Sequence, residues 1–202
     1  MIIKVCGMRD ADNIQQVDAI KGIDWMGFIF WPKSKRFVSH QPVHMPQRAK
    51  RVGVFVDEDI EHVRHIARQY RLDLIQLHGH ESPDYCQQLH SEWKVIKAFN
   101  IATTYDLAQT ANYEGHADYF LFDTKGKSIG GNGTKFDWDI LIAYHGSTPF
   151  LLTGGIKPTD TEAVKQFRHP LYAGIDLNSG FETAPALKDA TAIGTFIQNV
   201  KP

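Results

Sequence analysis

No apolar run in this sequence approaches the roughly 20 residues that a membrane-spanning helix requires. The N-terminus also lacks the basic-then-apolar pattern of a signal peptide. An intracellular, cytoplasmic protein with no membrane partner is therefore expected. Nor is there an excess of either charge: 22 Lys and Arg stand against 23 Asp and Glu. No broad field attracts nucleic acid or an anionic surface, so a ligand has to be held by local groups. Cysteine is scarce. Cys6 falls in a strand-like run and Cys86 in the helix-like "PDYCQQLHSEW". With no sign of an oxidising compartment, both are expected as free thiols. Linkers and low-complexity stretches are missing too, which favours one domain over residues 1–202.

What the sequence does contain is a regular alternation. The runs "IIKVCG", "DWMGFIF", "RVGVFV", "LDLIQLHG", "KVIKAF", "DYFLFDT", "PFLLTGG" and "YAGIDL" are rich in Val, Ile, Leu and Phe. Each reads as a strand buried on both faces. Helical patterns lie between most of them. The first, "DADNIQQVDAIKG", carries Ile14, Val17 and Ile20 at helical spacing, with Asp10 or Asp12 at its start and Gly22 at its end. Others are "DIEHVRHIARQYR", "SPDYCQQLHSEW", "TTYDLAQTAN", "FDWDILIAYHG", "PTDTEAVKQF" and "LKDATAIGTFIQNV". "SHQPVHMPQRAK", after the second strand, has two prolines and little periodicity, and predicts a short or irregular element. Eight such units in 202 residues fit an α/β fold, a (β/α)8 barrel at the short end of its size range. An open doubly wound sheet is the rival, because strand order is not written in the sequence.

In a barrel, chemistry belongs at the C-terminal ends of the strands. Cys6 ends the first strand beside Gly7. It reads either as a small buried hydrophobe or as a base or nucleophile whose pKa its surroundings lower. Lys4 should share its face, deeper in the barrel. Asp123 ends the sixth strand, where a carboxyl near a buried mouth can serve as an acid; the alternative is a helix cap. A thiol and a carboxyl across one mouth would form a proton-transfer site. "TGGIKPTD" and "LNSGFET" follow strands seven and eight, where backbone N–H groups of glycine loops can hold a phosphate. Arg36, in "FWPKSKRF", is either a solvated cation or the planar fork that grips a substrate carboxylate. "SIGGNGTKFDW" reads as a long loop or a mobile lid. His78 and His80 in "LHGHE" invite a zinc reading with Cys6, but no other strand end supplies a further histidine, and no metal is expected.

Taken together and in order, "KVCGM", "GFIFWPKSKRFV", "VGVFV", "IQLHGHE", "FDT", "GGNGTKFDW", "LTGGI", "GIDLNSGFE" and "LKD" make the whole chain resemble the phosphoribosylanthranilate isomerases of tryptophan biosynthesis. The resemblance implies an Amadori rearrangement of N-(5-phosphoribosyl)anthranilate with no cofactor. It implies Cys6 as general base and Asp123 as general acid. It places Arg36 on the anthranilate carboxylate and Gly154, Gly155, Ser179 and Gly180 around the phosphate. The chain departs from the family pattern at Asn132, Thr153 and Asn178, where Thr, Ala and Ser are usual. Another sugar-phosphate barrel enzyme, including indoleglycerol-phosphate synthase, and a non-catalytic sugar-phosphate-binding barrel are the alternatives. A monomer and a homodimer both stay open.

Overall fold

The structure, a computed structural model, describes residues 1–123 and 138–201. Eight parallel strands close into a barrel in sequence order: β1 Ile2–Cys6, β2 Trp25–Ile29, β3 Lys50–Phe55, β4 Leu74–Leu77, β5 Lys94–Asn100, β6 Tyr119–Asp123, β7 Phe150–Thr153 and β8 Tyr172–Leu177. The open-sheet rival is thereby excluded. β8 pairs with β1 and seals the ring, with Ile2 opposite Gly174 and Lys4 opposite Asp176.

Side chains alternate between the two faces of each strand. Those of one phase fill the interior with an apolar layer, Trp25, Val52, Leu74, Ile96, Leu121 and Leu151. The other phase packs outward against helices, with Ile3, Val5, Phe120 and Ile175 fully buried there. Such two-sided burial is why the strands read as unbroken apolar runs.

The α-helices are α1 Ala11–Asp18, α2 Ile60–Tyr70, α3 Pro83–His90, α4 Thr161–Gln166 and α5 Ala190–Val200. Side-chain caps start four of them. Asp10, Asp59, Ser82 and Asp189 accept hydrogen bonds from N–H groups in the first turns of α1, α2, α3 and α5. Of the two candidates at the first helix, Asp10 is the cap. Gly22 lies beyond the helix end at φ 94°, in the turn that leads to β2.

Two patterns expected to be α-helical form 3₁₀ segments instead, Thr104–Tyr113 and Trp138–Ala143. In the first, Thr110 donates its hydroxyl to the carbonyl of Leu107, three residues back. Bonds at that spacing compete with the α-helical ladder. The proline-containing connection between β2 and β3 carries no helix, as its prolines predict. The glycine-rich stretch expected as a loop or lid lies, up to residue 137, outside the described residues. Cys6 and Cys86 are both free and buried. No helix among the described residues is long and apolar enough to cross a membrane.

The seam depends on a missing side chain. A Cβ on Gly174 would run into the carbonyl oxygen of Ile2 on the neighbouring strand. Gly174→Ala is expected to destabilise by about 1–3 kcal/mol through overpacking. That lowers the thermal midpoint by a few degrees. Gly194→Ala, in α5 with open space around the new methyl, is expected to stabilise by up to about 1 kcal/mol. Thermal unfolding of the two variants checks the opposite signs.

Candidate active site

A cavity of about 540 Å³ opens at the C-terminal ends of the strands, lined by Arg36, Asp123, Thr153, Gly154, Gly155, Ile156, Asp176, Asn178, Ser179 and Gly180. Six of the seven residues expected from the sequence line it. The seventh, Cys6, lies at the floor, 3% exposed. Gly7 connects the floor to the wall. A Cβ there would lie 2.5 Å from Arg36 Cδ and 2.9 Å from Asn178 Oδ1, and its φ of 79° belongs to glycine. The glycine after the cysteine therefore lets two lining residues close over the thiol.

The acid candidate has a defined neighbour. Asp123 Oδ2 lies 3.6 Å from His78 Nε2, and Gln76 Nε2 lies 3.0 Å from His78 Nδ1. His78 thus lies between the Gln76 amide and the Asp123 carboxyl group. His80 turns away to Asp57, 3.2 Å distant. The two histidines do not converge on Cys6, and no group of three His, Cys, Asp or Glu among the described residues could hold a metal ion.

The loop that carries His78 is held by a buried pair. Lys97 Nζ reaches Glu81 Oε2 at 3.0 Å and the Gly79 carbonyl at 2.7 Å, while Glu81 accepts the N–H groups of Asp57 and Gly79.

Gly154 and Gly155 have φ of 98° and 73°, a region that favours glycine and keeps side chains out of this part of the mouth. A Cβ on Gly180 would strike the carbonyl oxygen of Ile156. The loops after β7 and β8 therefore touch through their backbones, with Ser179 exposed beside them. Two departures from the expected motifs have local explanations. Thr153 Oγ1 donates to the Asp176 carbonyl at 3.2 Å, and Asn178 Oδ1 accepts from Lys188 Nζ at 2.9 Å. Asn132 lies outside the described residues.

Two expectations need correction. Arg36 is not a free cation: its Nε and Nη2 grip the two oxygens of Glu182 at 2.8 and 2.6 Å. This uses one edge of the guanidinium and leaves the Nη1–Nη2 edge for a ligand. The Cys6 thiol is also not lowered in pKa. Burial pushes it up, against the pull of Lys4 and Lys188.

Residues that the sequence reading left without a role complete the site. Lys4 is fully buried, with Nζ 2.9 Å from Asp176 Oδ2. Lys188 Nζ lies 2.6 Å from Glu182 Oε1. Both Glu182 and Lys188 fall inside quoted motifs, "GFE" and "LKD". Their spacing, however, says nothing of the arginine 146 residues away that Glu182 meets.

A closed barrel with a thiol, a carboxyl group and a glycine cradle at its C-terminal mouth defines a (β/α)8 barrel enzyme acting on a small molecule. The family model for N-(5'-phosphoribosyl)anthranilate (PRA) isomerase matches residues 3–199. The N-(5'-phosphoribosyl)anthranilate isomerase of Phocaeicola vulgatus is 52% identical over 202 residues, spanning 100% of this chain and 98% of that protein. The crystal structure of the isomerase from Thermotoga maritima superposes with a TM-score of 0.87 at 33% identity, over 100% of this chain and 99% of that one. An isomerase crystallised with reduced 1-(o-carboxyphenylamino)-1-deoxyribulose 5-phosphate gives 0.83 at 30%, with the same coverage. The chain belongs to the phosphoribosylanthranilate isomerase family.

The Arg36–Glu182–Lys188 cluster has a pH signature. Burial pushes the Glu182 carboxyl up, but the hydrogen bonds from Arg36 and Lys188 outweigh it and bring it down to about 2 from an ordinary 4.5. A depressed carboxyl contributes stability above its unfolded pKa and loses it on acidification. That contribution is thus complete above pH 4.5 and fades toward about pH 2. In acid titrations followed by circular dichroism, Glu182→Gln is expected to be less stable than the parent at neutral pH. The gap should close across that window.

Proposed function

We propose that this chain, acting as one catalytic domain over residues 1–202, converts N-(5-phosphoribosyl)anthranilate into 1-(2-carboxyphenylamino)-1-deoxyribulose 5-phosphate. The observation that carries the reading is the placement of Cys6 and Asp123 at the ends of β1 and β6, around a mouth whose β7 and β8 loops form a glycine cradle. The two functional groups sit on different strands of one rigid ring, which lets an acid and a base act on the ring oxygen and C2 of one sugar.

Asp123 donates a proton to the furanose ring oxygen. The anthranilate nitrogen lone pair drives the C1–O bond open and leaves an iminium. Cys6, as thiolate, then takes the C2 proton, and the C2–H electron pair returns through C1 to the nitrogen, giving an enolamine. Tautomerisation yields the ketone. C1 is reduced and C2 oxidised within one molecule, so no external electron carrier is needed. His78 Nε2, 3.6 Å from Asp123, faces the carboxylate left after the first step.

Gly154, Gly155, Ser179 and Gly180 receive the phosphate through backbone N–H groups. Arg36 receives the anthranilate carboxylate on the edge that Glu182 leaves open. Since Glu182 fixes the other edge, the guanidinium is held in place before substrate arrives, and little side-chain entropy is lost on binding.

The test is to generate phosphoribosylanthranilate in situ and follow its consumption. Cys6→Ala and Asp123→Ala are each expected to lower kcat by about 10²-fold to 10⁴-fold, with thermal midpoints within a few degrees of the parent. Arg36→Ala should act mainly on KM. An unchanged KM would place the carboxylate elsewhere, and full turnover by folded Cys6→Ala would remove the thiol from the reaction.

A further inference from the structure

The proposed chemistry needs a thiolate in a place that opposes one. Cys6 is sealed at the floor of the mouth, and burial alone favours the neutral thiol. Four charged groups face it. Lys4 comes from its own strand, Asp176 from β8, Lys188 from the strand Leu187–Lys188 that follows the β8 loop, and Arg36 from the loop after β2. From β2 itself comes only Gly27. A Cβ there would lie 2.6 Å from Cys6 Sγ and 3.1 Å from Lys4 Nζ. The thiol and the ammonium therefore both border the space that the missing side chain leaves.

Lys4 has no other outlet. It is 0% exposed, on the interior face, and among the described residues its ion-pair partner is Asp176 at 2.9 Å. The charges of the cluster do not balance while Cys6 holds its proton. Lys4, Lys188 and Arg36 carry three positive charges, against the two carboxylates Asp176 and Glu182. A thiolate makes the third anion, and no other described group in direct contact with Lys4 supplies it.

We propose that Lys4, clamped by Asp176 and given access by Gly27, is a positioning residue whose buried ammonium is the counter-ion of the Cys6 thiolate. This rests on the reading of Cys6 as the base, and it assigns the lysine a part in the reaction that a purely structural ion pair would not have. Lys4 donates to Sγ, fixes the lone pair that attacks the C2–H bond, and stays protonated while the proton moves from C2 to sulfur. Asp176 keeps the ammonium charged, since the pair outweighs the burial that would otherwise strip its proton.

The test uses the full chain with Cys86→Ala, so that Cys6 is the only thiol. The ultraviolet absorbance of its thiolate and kcat/KM are both followed against pH. Lys4→Met and the charge-balanced Lys4→Met/Asp176→Asn pair are each expected to move the Cys6 titration upward by a unit or more. The acid limb of kcat/KM should move with it, a loss of about tenfold per unit at neutral pH.

The double variant leaves no buried charge unpaired and decides the matter if Lys4→Met does not fold. A Cys6 titration unmoved in the folded Lys4 variants overturns the inference. A titration that moves while the kcat/KM limb stays fixed keeps Lys4 as counter-ion and instead removes Cys6 as the base.

Discussion

The ion pair between Lys4 and Asp176 bridges the seam where the first and last strands close the barrel, and the polar mouth is built on it. Lys4 is fully buried, and Asp176 is 5% exposed where it lines the mouth. Each is tolerable there only because the other is present, and breaking such a buried pair by removing one partner costs about 3–5 kcal/mol. A hydrophobic pair at these two positions would close the ring as well or better. Stability alone does not account for charge beneath the mouth, whereas a thiol that has to ionise does. Below it lies the apolar Trp25 to Leu151 layer, so the pair is screened less than an exposed one where it faces Cys6, the next inward-facing residue on β1.

The second cluster, Arg36–Glu182–Lys188, solves a related problem nearer the solvent. A substrate carrying a carboxylate and a phosphate brings negative charge, and two unpaired cations at an empty mouth would repel one another and bind anions indiscriminately. Glu182 takes both of them in hand. Arg36 thereby offers a single directed edge instead of a mobile charge. The cost is that the site depends on the short strand Glu182–Ala184 and its partner Leu187–Lys188, which lie outside the barrel proper.

The scaffold was largely legible because strands buried on both faces leave unbroken apolar runs, and because each run ends where its residues become polar. Cys6, Asp123 and the glycines of β7 and β8 could be located from that rule alone. Segments with mixed signals were less legible. Thr104–Tyr113 has a helix-like apolar pattern, but Thr110 bonds back within the chain and the segment winds as a 3₁₀ helix. Partnerships between distant residues were not legible. Nothing near Arg36 announces Glu182, and nothing near Cys6 announces that burial would outweigh its cations. Gly27 and Gly7 look like ordinary strand glycines until the side chains they make room for are seen.

The seam also sets an order of events. Lys4 and Asp176 are 172 residues apart, and Lys188 and Glu182 come later still in the chain. Contacts of such long sequence separation form late, after the loop-closure entropy has been overcome. During synthesis the cysteine emerges among the first residues, with none of these neighbours beside it. It remains an ordinary thiol until the last strand slots in against the first. Completion of the fold and the meeting of the proposed base with its charged neighbours are then one event, and a chain interrupted before β8 carries the sulfur without them.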